Sequence, residues 1–303
     1  MATQHTDDPH GIATAPVVVG ADGSESGDLA VRWAAETASR RNRRLLIVNG
    51  LNLAAMRGVL GSYDLMVPAV IDSIRKQGAD RVAAARASAL TVDPALTVET
   101  EVSEDNPAHL LIERSASAHL VVIGASGEGG TIRNLGSTLL AVASHGHGSI
   151  VVVRGTDRPT SSAGPVVVGV DGSSVSEVAV GAAFAEASQR NAPLVAVHVW
   201  ADLPLNRLSG YEGAITDPAI AAEARTVLAE QIAGWQAKYP DVVVTREVYL
   251  SRPRHYLIEW SKAAQLVVVG SRGRGGFRGL LLGSTGNALV QRTHCPVMVV
   301  HTN

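Results

Sequence analysis

The feature that most limits the fold of this chain is an internal repeat. Residues 17–24 read Val-Val-Val-Gly-Ala-Asp-Gly-Ser, and residues 166–173 read Val-Val-Val-Gly-Val-Asp-Gly-Ser, 149 positions later. The tripeptide Gly-Ser-Thr occurs at 136–138 and again at 283–285, 147 positions later. Solenoid repeats are much shorter, on the order of 20–50 residues. The long period therefore predicts two tandem domains of similar structure.

The length of the chain agrees with two domains, because each half of the 303 residues is long enough to bury its own core. The polar, acidic start contains no apolar run, so we expect a disordered tail and no signal peptide. The join between the halves is rich in Gly, Pro, Ser and Thr, as linkers are. We predict a tail at 1–15, a first domain at 16–154, a linker at 155–164 and a second domain at 165–303.

Apolar runs alternate with helical periodicity in both halves. Strands are expected near 16–20, 44–50, 96–102, 119–124 and 149–153, and near 165–170, 193–200, 242–249, 265–270 and 296–301. Helices are expected near 26–41, 67–90, 106–118 and 137–146, and near 175–190, 217–238, 253–264 and 284–293. This alternation predicts an α/β fold with two Rossmann-like domains. Each is expected to be a five-stranded parallel sheet of order 3-2-1-4-5 with helices on both faces.

A glycine-rich stretch, residues 270–285, follows the fourth expected strand of the second half and leads into a helix. Its six glycines allow close approach of the backbone, and the N–H groups and dipole of the helix favour an anion. Arg272, Arg274 and Arg278 can screen a triphosphate or be exposed cations. Ser284 can donate to a phosphate or cap the helix. The alternative is a mobile surface loop with a helix cap.

Asp171 ends the first strand of the second half, beside that loop at the expected switch point of the sheet, where ligands bind. Its carboxylate can accept hydrogen bonds from an exocyclic amine or a ribose hydroxyl. The alternative interpretation is that Asp-Gly-Ser at 171–173 is only a turn and helix cap. A carboxylate on one side of a crevice and a phosphate cradle on the other indicate a nucleotide.

Several functional classes are disfavoured by the sequence. A net charge of -2 without a block of one sign argues against a nucleic-acid or anionic-membrane binder. No apolar run reaches membrane-spanning length, and the single cysteine, Cys295, allows no internal disulfide and fits a reducing compartment. Neither Gly-x-x-x-x-Gly-Lys-Ser/Thr nor a Gly-x-Gly-x-x-Gly after the first strand is present. His145 and His147 lack the cluster of ligands that a metal site needs, so no metal ligands are expected. No catalytic residues are expected either.

The spacing Gly270-x2-Gly273-x9-Gly283-Ser284, downstream of Asp171, resembles the nucleotide-binding pattern of the universal stress protein family. The resemblance covers residues 16–302 as two consecutive domains. It implies ATP as ligand, with or without Mg²⁺, and a nucleotide-dependent role in regulating a stress or growth-arrest response. It also implies a cytoplasmic protein that forms dimers and acts through a change of its conformation or of its regulatory protein partner.

The resemblance also assigns roles to individual residues. It implies that Asp171 meets the adenine and ribose, that Val199 contacts adenine through its backbone, and that the glycines and hydroxyls cradle ribose and phosphates. In the second half the implied ligand contacts are Asp171, Val199, Gly270, Gly273, Gly283, Ser284 and Thr285. In the first half the matching positions are Asp22, Gly50, Gly124, Gly127, Gly136, Ser137 and Thr138.

The first half departs from the pattern, because eight residues and not nine separate Gly127 from Gly136. Glu128 also stands where the second half has Arg274, which places a negative charge where phosphate is expected. We therefore expect the second site to bind ATP more tightly than the first.

Two other functions remain compatible with the sequence. One is a weak ATPase or a nucleotidyl- or phosphoryl-transfer enzyme that uses the same crevice, with the loop arginines stabilising charge. The other is an interaction module that binds no nucleotide. Apolar fifth strands near 150–153 and 296–300 are expected at sheet edges, which invite pairing. In the resembled family such strands pair between domains, which implies a pseudo-dimer of the two halves and a homodimer of chains.

Overall fold

The computed structural model describes residues 14–55, 67–125, 136–154, 164–200, 218–274 and 282–302. The chain divides into two compact units, Met1–Val142 with Gly148–Ile150 and Ala143–His147 with Val151–Asn303. Nearly all of the predicted tail and linker lies outside the described residues, and the domain boundaries proposed above stay a prediction.

Strands and helices alternate along both halves. The first half contains β1 (Val17–Gly20), α1 (Glu25–Arg40), β2 (Leu45–Gly50), α2 (Val67–Val92), β3 (Val98–Ser103), α3 (Pro107–Ser115), β4 (Leu120–Gly124), α4 (Ser137–His145) and β5 (Ser149–Val153). The second half contains β6 (Val166–Val170), α5 (Ser174–Gln189), β7 (Leu194–Val199), α6 (Pro218–Lys238), β8 (Val244–Tyr249), α7 (Pro253–Trp260), β9 (Leu266–Gly270), α8 (Ser284–Arg292) and β10 (Val297–Val300).

The predicted strand order is confirmed in each half. The first half runs β3-β2-β1-β4-β5, and the second runs β8-β7-β6-β9-β10. Strand β1 pairs in parallel with β2 and β4, and β6 pairs in parallel with β7 and β9. The first strand of each half therefore lies between the second and fourth, and their carboxyl ends meet at one edge of the sheet.

The central strands form the core of each half. Strands β1, β4, β6 and β9 are buried along their length apart from glycines at their ends, as expected of parallel strands that are covered on both faces. By contrast, β3 and β8 contain only half-buried and exposed residues, because they lie at the outer ends of this order. No helix that the structure describes is both long and apolar enough to cross a membrane.

The repeated small residues of the sequence begin and end the first helix of each half. Ser24 caps α1 by accepting a hydrogen bond from Gly27 N, and Ser173 caps α5 in the same way with Ser176 N. Asn42 and Asn191 follow these helices, both with φ of 49°, a left-handed conformation that asparagine tolerates. Matched residues of the repeat therefore fix where each helix starts and stops.

Two helices are shorter than the sequence predicts. Helix α3 ends at Ser115 and not near 118, and α7 ends at Trp260 and not near 264. After α3, Ala116, Ser117 and Ala118 donate hydrogen bonds to carbonyls three residues back, so the chain tightens into turns. The apolar periodicity of the sequence continues through such turns, which is why the predicted helices were too long.

Candidate functional site

Each half contains a cavity where the carboxyl ends of its first, second and fourth strands meet. The second-half cavity has a volume of about 530 Å³, and the first-half cavity has a volume of about 330 Å³. Both lie at the switch point of the sheet, the position predicted for a ligand. Within the part of the chain that the structure describes, these cavities collect the predicted ligand contacts.

In the second half, all seven predicted residues line the one cavity: Asp171, Val199, Gly270, Gly273, Gly283, Ser284 and Thr285. In the first half, six predicted residues line the matching cavity: Asp22, Gly50, Gly124, Gly136, Ser137 and Thr138. The seventh, Gly127, lies outside the described residues, as do Glu128 and Arg278. Their assignment to a nucleotide stays a prediction.

Asp171 is held in a fixed position by its neighbours. Its Oδ1 accepts hydrogen bonds from Ser173 N at 2.9 Å and Ser173 Oγ at 2.7 Å, while its Oδ2 accepts one from Arg274 N at 3.0 Å. The carboxylate therefore forms a turn before the Ser173 cap and also ties the glycine-rich loop to the end of β6. The turn-and-cap interpretation of this residue is correct, and it is compatible with a ligand contact because Oδ2 accepts only one of these hydrogen bonds and has a further lone pair.

Gly273 is required by this arrangement. A Cβ built on Gly273 would clash with Asp171 Oδ2, so only glycine allows the loop to lie against the carboxylate. Gly270 is also packed closely, since its Cβ would lie 2.9 Å from Val175 Cγ1. These two glycines are explained by protein packing alone, with no ligand.

The glycine before α8 has no such explanation. Gly283 has φ of -63° and ψ of 156°, which any residue adopts, and its Cβ would lie no closer than 3.5 Å to Ser271 O. Gly136, its counterpart, has no heavy atom of the described residues within 4 Å of its Cβ position. A glycine that neither backbone conformation nor packing demands, in the wall of a cavity, leaves space for a ligand to approach the backbone.

The first turn of α8 faces the same space. Asn287 N donates the first bond of the helix to Gly283 O at 2.9 Å, so the N–H groups of Ser284, Thr285 and Gly286 have no acceptor within the helix. The N-cap is Gly283, which has no side chain, so the alternative that Ser284 caps the helix is wrong. Ser284 is the first helical residue, and its hydroxyl belongs to the cavity wall.

Charged and apolar residues of the second-half cavity complete its walls. Its cations are Arg254, Arg272 and Arg274, and Asp171 is the only acid among its described lining residues. The apolar part includes Trp200, Pro253 and Leu257. Trp200, Pro253 and Arg254 were not predicted as site residues, although Pro253 is matched in the first half by Pro107, which also starts the third helix and lines the cavity there.

A buried polar residue supports the aspartate turn from behind in each half. His198 Nδ1 lies 2.7 Å from Val170 O, and Asn49 Nδ2 donates to Ala21 O at 2.6 Å. Because a carbonyl can only accept, His198 carries its proton on Nδ1. Burial lowers the pKa of His198 and so favours the neutral ring. The hydrogen bond to Val170 O raises the pKa and opposes part of this effect. Sequence reasoning missed both residues, although each is a polar interruption at the same position of an apolar strand.

The comparisons with known proteins agree with the internal repeat. The model of the family described as "Universal stress protein family" matches residues 14–154 and 163–301. A universal stress protein of Mycolicibacterium smegmatis is 40% identical over 289 residues, covering 94% of this chain and 96% of the relative. A universal stress protein of Mycobacterium tuberculosis is 39% identical over 287 residues, covering 93% of this chain and 96% of the relative.

A solved structure shares the fold. The crystal structure of a universal stress protein from Archaeoglobus fulgidus matches with a TM-score of 0.67 and 16% sequence identity. The match covers 96% of this chain and 98% of that chain. At this identity it supports the architecture, two Rossmann-like halves in one chain, and no functional detail.

Proposed function

Since the chain belongs to the universal stress protein family, we propose that its second-half cavity binds ATP and that the protein is a nucleotide-dependent regulator of a stress or growth-arrest response. ATP occupancy would change the conformation of the glycine-rich loop or the partner that the protein contacts. The two sections of loop on either side of the undescribed residues 275–281 line the cavity, so a ligand there contacts the loop directly.

The observation that carries this proposal is the structure around Gly283. A glycine with room for a side chain precedes a helix whose first three N–H groups have no helical acceptor. Such a helix start binds anions through these N–H groups and through the helix dipole. The missing side chain would let phosphate oxygens reach hydrogen-bond distance of the backbone.

The charges of the lining also favour an anion. Among the described residues that line the second-half cavity, three are arginines and one is a carboxylate. Asp171 is poorly suited as a phosphate neighbour because like charges repel, so we assign it to the ribose or adenine. Arg272 and Arg274 belong to the loop and would lie on the phosphate side, where a guanidinium can donate two parallel hydrogen bonds.

The nucleoside would occupy the apolar end of the cavity. Val199 ends β7 and lies beside Trp200, whose backbone N–H is already bound to Tyr249 O at 2.9 Å. Pro253 and Leu257 of α7 line the same region. A flat base fits between apolar walls of this kind, and the volume of about 530 Å³ falls within the usual range for small-molecule sites.

We propose that the protein binds ATP and is not an enzyme. Any Mg²⁺ would be bound by the phosphates of the nucleotide. Asp171 is the only acid among the described lining residues, and its two oxygens are already bound by Ser173 and Arg274. A general base beside the phosphates would have to come from elsewhere. The arginines favour a second candidate, slow ATP hydrolysis, because they can stabilise charge on a leaving phosphate.

The family resemblance extends the proposal to the assembly. We propose a cytoplasmic protein that forms a homodimer, with a pseudo-dimer of the two halves inside each chain. A sedimentation experiment that finds only the 31.5 kDa species would contradict the homodimer.

The decisive experiment identifies what co-purifies with the protein. Mass spectrometry of the supernatant after denaturation would show ATP, and calorimetric titration of the stripped protein would give its affinity against ADP and AMP. Gly283→Asp places a carboxylate in the phosphate space and should abolish second-half binding. Gly234→Asp, on an exposed position of α6, is the matched control and should retain it.

Two outcomes would redirect the proposal. If no nucleotide co-purifies and none binds on titration, the protein is better described as an interaction module. If ATP turnover lies well above that of the Gly283→Asp variant, the protein is an enzyme.

A further inference from the structure

An arginine covers the same glycine in both halves, but it comes from different elements. Gly23 and Gly172 follow the two aspartates and have φ of 81° and 78°. Over Gly172 lies the guanidinium of Arg274, with Cζ 3.0 Å and Nε 3.3 Å from the position of a Cβ. Over Gly23 lies Arg81, with Cγ and Nε both 3.3 Å from the corresponding position.

The two arginines have unrelated positions in the sequence. Arg274 belongs to the loop after β9, whereas Arg81 belongs to α2, the long helix that connects β2 to β3. In the first half, the position that matches Arg274 is Glu128 in the sequence. A guanidinium therefore lies beside the aspartate turn in both halves, although the loop position of Arg274 is an acid in the first half.

A glycine allows α2 to bring Arg81 to this place. At Gly78, a Cβ would lie 2.5 Å from Leu51 Cδ2 and 3.0 Å from Asn49 Oδ1, so any larger residue would push the helix away from the end of β2. Arg81 follows three residues later on the same face of the helix. Close packing at Gly78 thus sets the position of the Arg81 side chain at the cavity.

The first-half cavity has the other parts of an anion site. Leu140 N donates to Gly136 O at 3.2 Å, so the N–H groups of Ser137, Thr138 and Leu139 have no acceptor within α4. Asn49 also lines this cavity, is 5% exposed, and its Oδ1 is buried with no hydrogen-bond partner in the described structure. An unpaired buried acceptor is costly, so the placement of Asn49 in this wall is an expense to the fold.

We propose that Arg81 determines the ligand charge accepted by the first-half cavity, and that it makes this cavity a second site for a phosphate-bearing nucleotide. Arg81, on the crossover helix α2, has the role in the first half that Arg274, in the loop, has in the second. Asp22 and Arg81 are the only charged residues among the described residues of this lining, so Arg81 is the one described cation that can offset the charge of a phosphate there. The inference rests on the proposed function, because it assigns the same ligand class to both cavities.

The test isolates the first-half cavity with Gly283→Asp, which blocks the second. In that background, calorimetric titration with ATP at low and high salt compares Arg81→Gln with Arg86→Gln, a matched change at an exposed position of the same helix outside the cavity. Loss of a charge-assisted hydrogen bond predicts a rise in the Kd for ATP of about tenfold or more for Arg81→Gln. The salt dependence of its Kd should also weaken, and Arg81→Lys should recover part of both.

Three results would overturn the inference. These are no ATP binding in the Gly283→Asp protein, an unchanged Kd in Arg81→Gln, and an equal loss in Arg86→Gln. The opposite variant, Gly136→Asp, isolates the second-half cavity and keeps the two proposals distinguishable. If ATP binds there with parental affinity, the proposed function stands whatever Arg81 does. If it does not bind there while Gly283→Asp protein binds, the proposed function fails for the second half.

Discussion

Replacing Gly283 with alanine separates what the fold needs at this position from what a ligand needs. The backbone angles of -63° and 156° suit alanine, and the new Cβ would make only ordinary contacts, 3.5 Å to Ser271 O and 3.6 Å to Arg272 Cα. The folded protein therefore tolerates the methyl group. The same methyl group would enter the space that we assign to a phosphate.

The two effects have opposite signs. The free energy of unfolding should stay the same or rise by about 0.4–1 kcal/mol, because alanine restricts the unfolded chain more than glycine does. A phosphate displaced from the N–H groups of Ser284 and Thr285 loses at least one charge-assisted hydrogen bond, worth about 1.5–3 kcal/mol. That loss corresponds to a rise in the Kd for ATP of roughly 10- to 150-fold.

The measurement pairs urea unfolding without ligand with calorimetric titration of ATP, both in Gly136→Asp protein so that one cavity is observed. Gly234→Ala is the control, since Gly234 is exposed in α6 and its Cβ would meet no heavy atom within 4 Å in the part of the chain that the structure describes. That variant should gain about 1 kcal/mol of stability from helix propensity and bind ATP unchanged. If Gly283→Ala binds ATP as tightly as its parent, the phosphate does not lie against this glycine and the proposed phosphate position is wrong.

Three further predictions concern buried groups of the second half. Burial lowers the pKa of His198, so the unfolded chain binds more protons below about pH 6.5 and stability falls as the pH drops; His198→Asn, which copies Asn49, should reduce that fall in urea unfolding at acid pH. Burial raises the pKa of the Cys295 thiol to about 12, so a thiol reagent should react far faster in urea than with the native protein. Arg190 pairs with Glu186 at 3.0 Å, both side chains less than 8% exposed, and Arg190→Ala should lower the free energy of unfolding by about 3–5 kcal/mol, whereas the double change to Met and Leu should cost much less.

The repeat made the fold predictable from sequence. Buried strands such as Leu120–Gly124 and Leu266–Gly270 are continuous apolar runs in both copies, so each half checks the assignment of the other. The turn residues Asp171 to Ser173 and the capped helix follow from local chemistry, since an aspartate that accepts from the second residue on and a serine N-cap need no distant partner. Strand order then followed from alternation and the switch-point rule.

Contacts between distant parts of the chain were not predictable in the same way. Arg81 lies 58 residues after Gly23 in a helix whose sequence gives no sign that one arginine reaches the cavity. The hydrogen bond between His198 and Val170 O depends on which face of β7 is turned toward the end of β6. A buried strand such as β7 has no alternation of polar and apolar residues from which that face could be predicted. Ser284 was open to two roles because the N-cap position depends on backbone angles that the sequence does not state.

The two halves show which parts of such a site a duplicated chain must keep. Both retain the left-handed glycine, the aspartate turn and a buried side chain that holds the preceding carbonyl, but the last is Asn49 in one half and His198 in the other. The backbone geometry is the same in both halves, whereas the residue that supports it can vary, because a carbonyl accepts a hydrogen bond equally from an amide or an imidazole. By the same logic a guanidinium from a helix can replace one from a loop. A motif defined by loop residues alone therefore misses Arg81, which belongs to the helix α2.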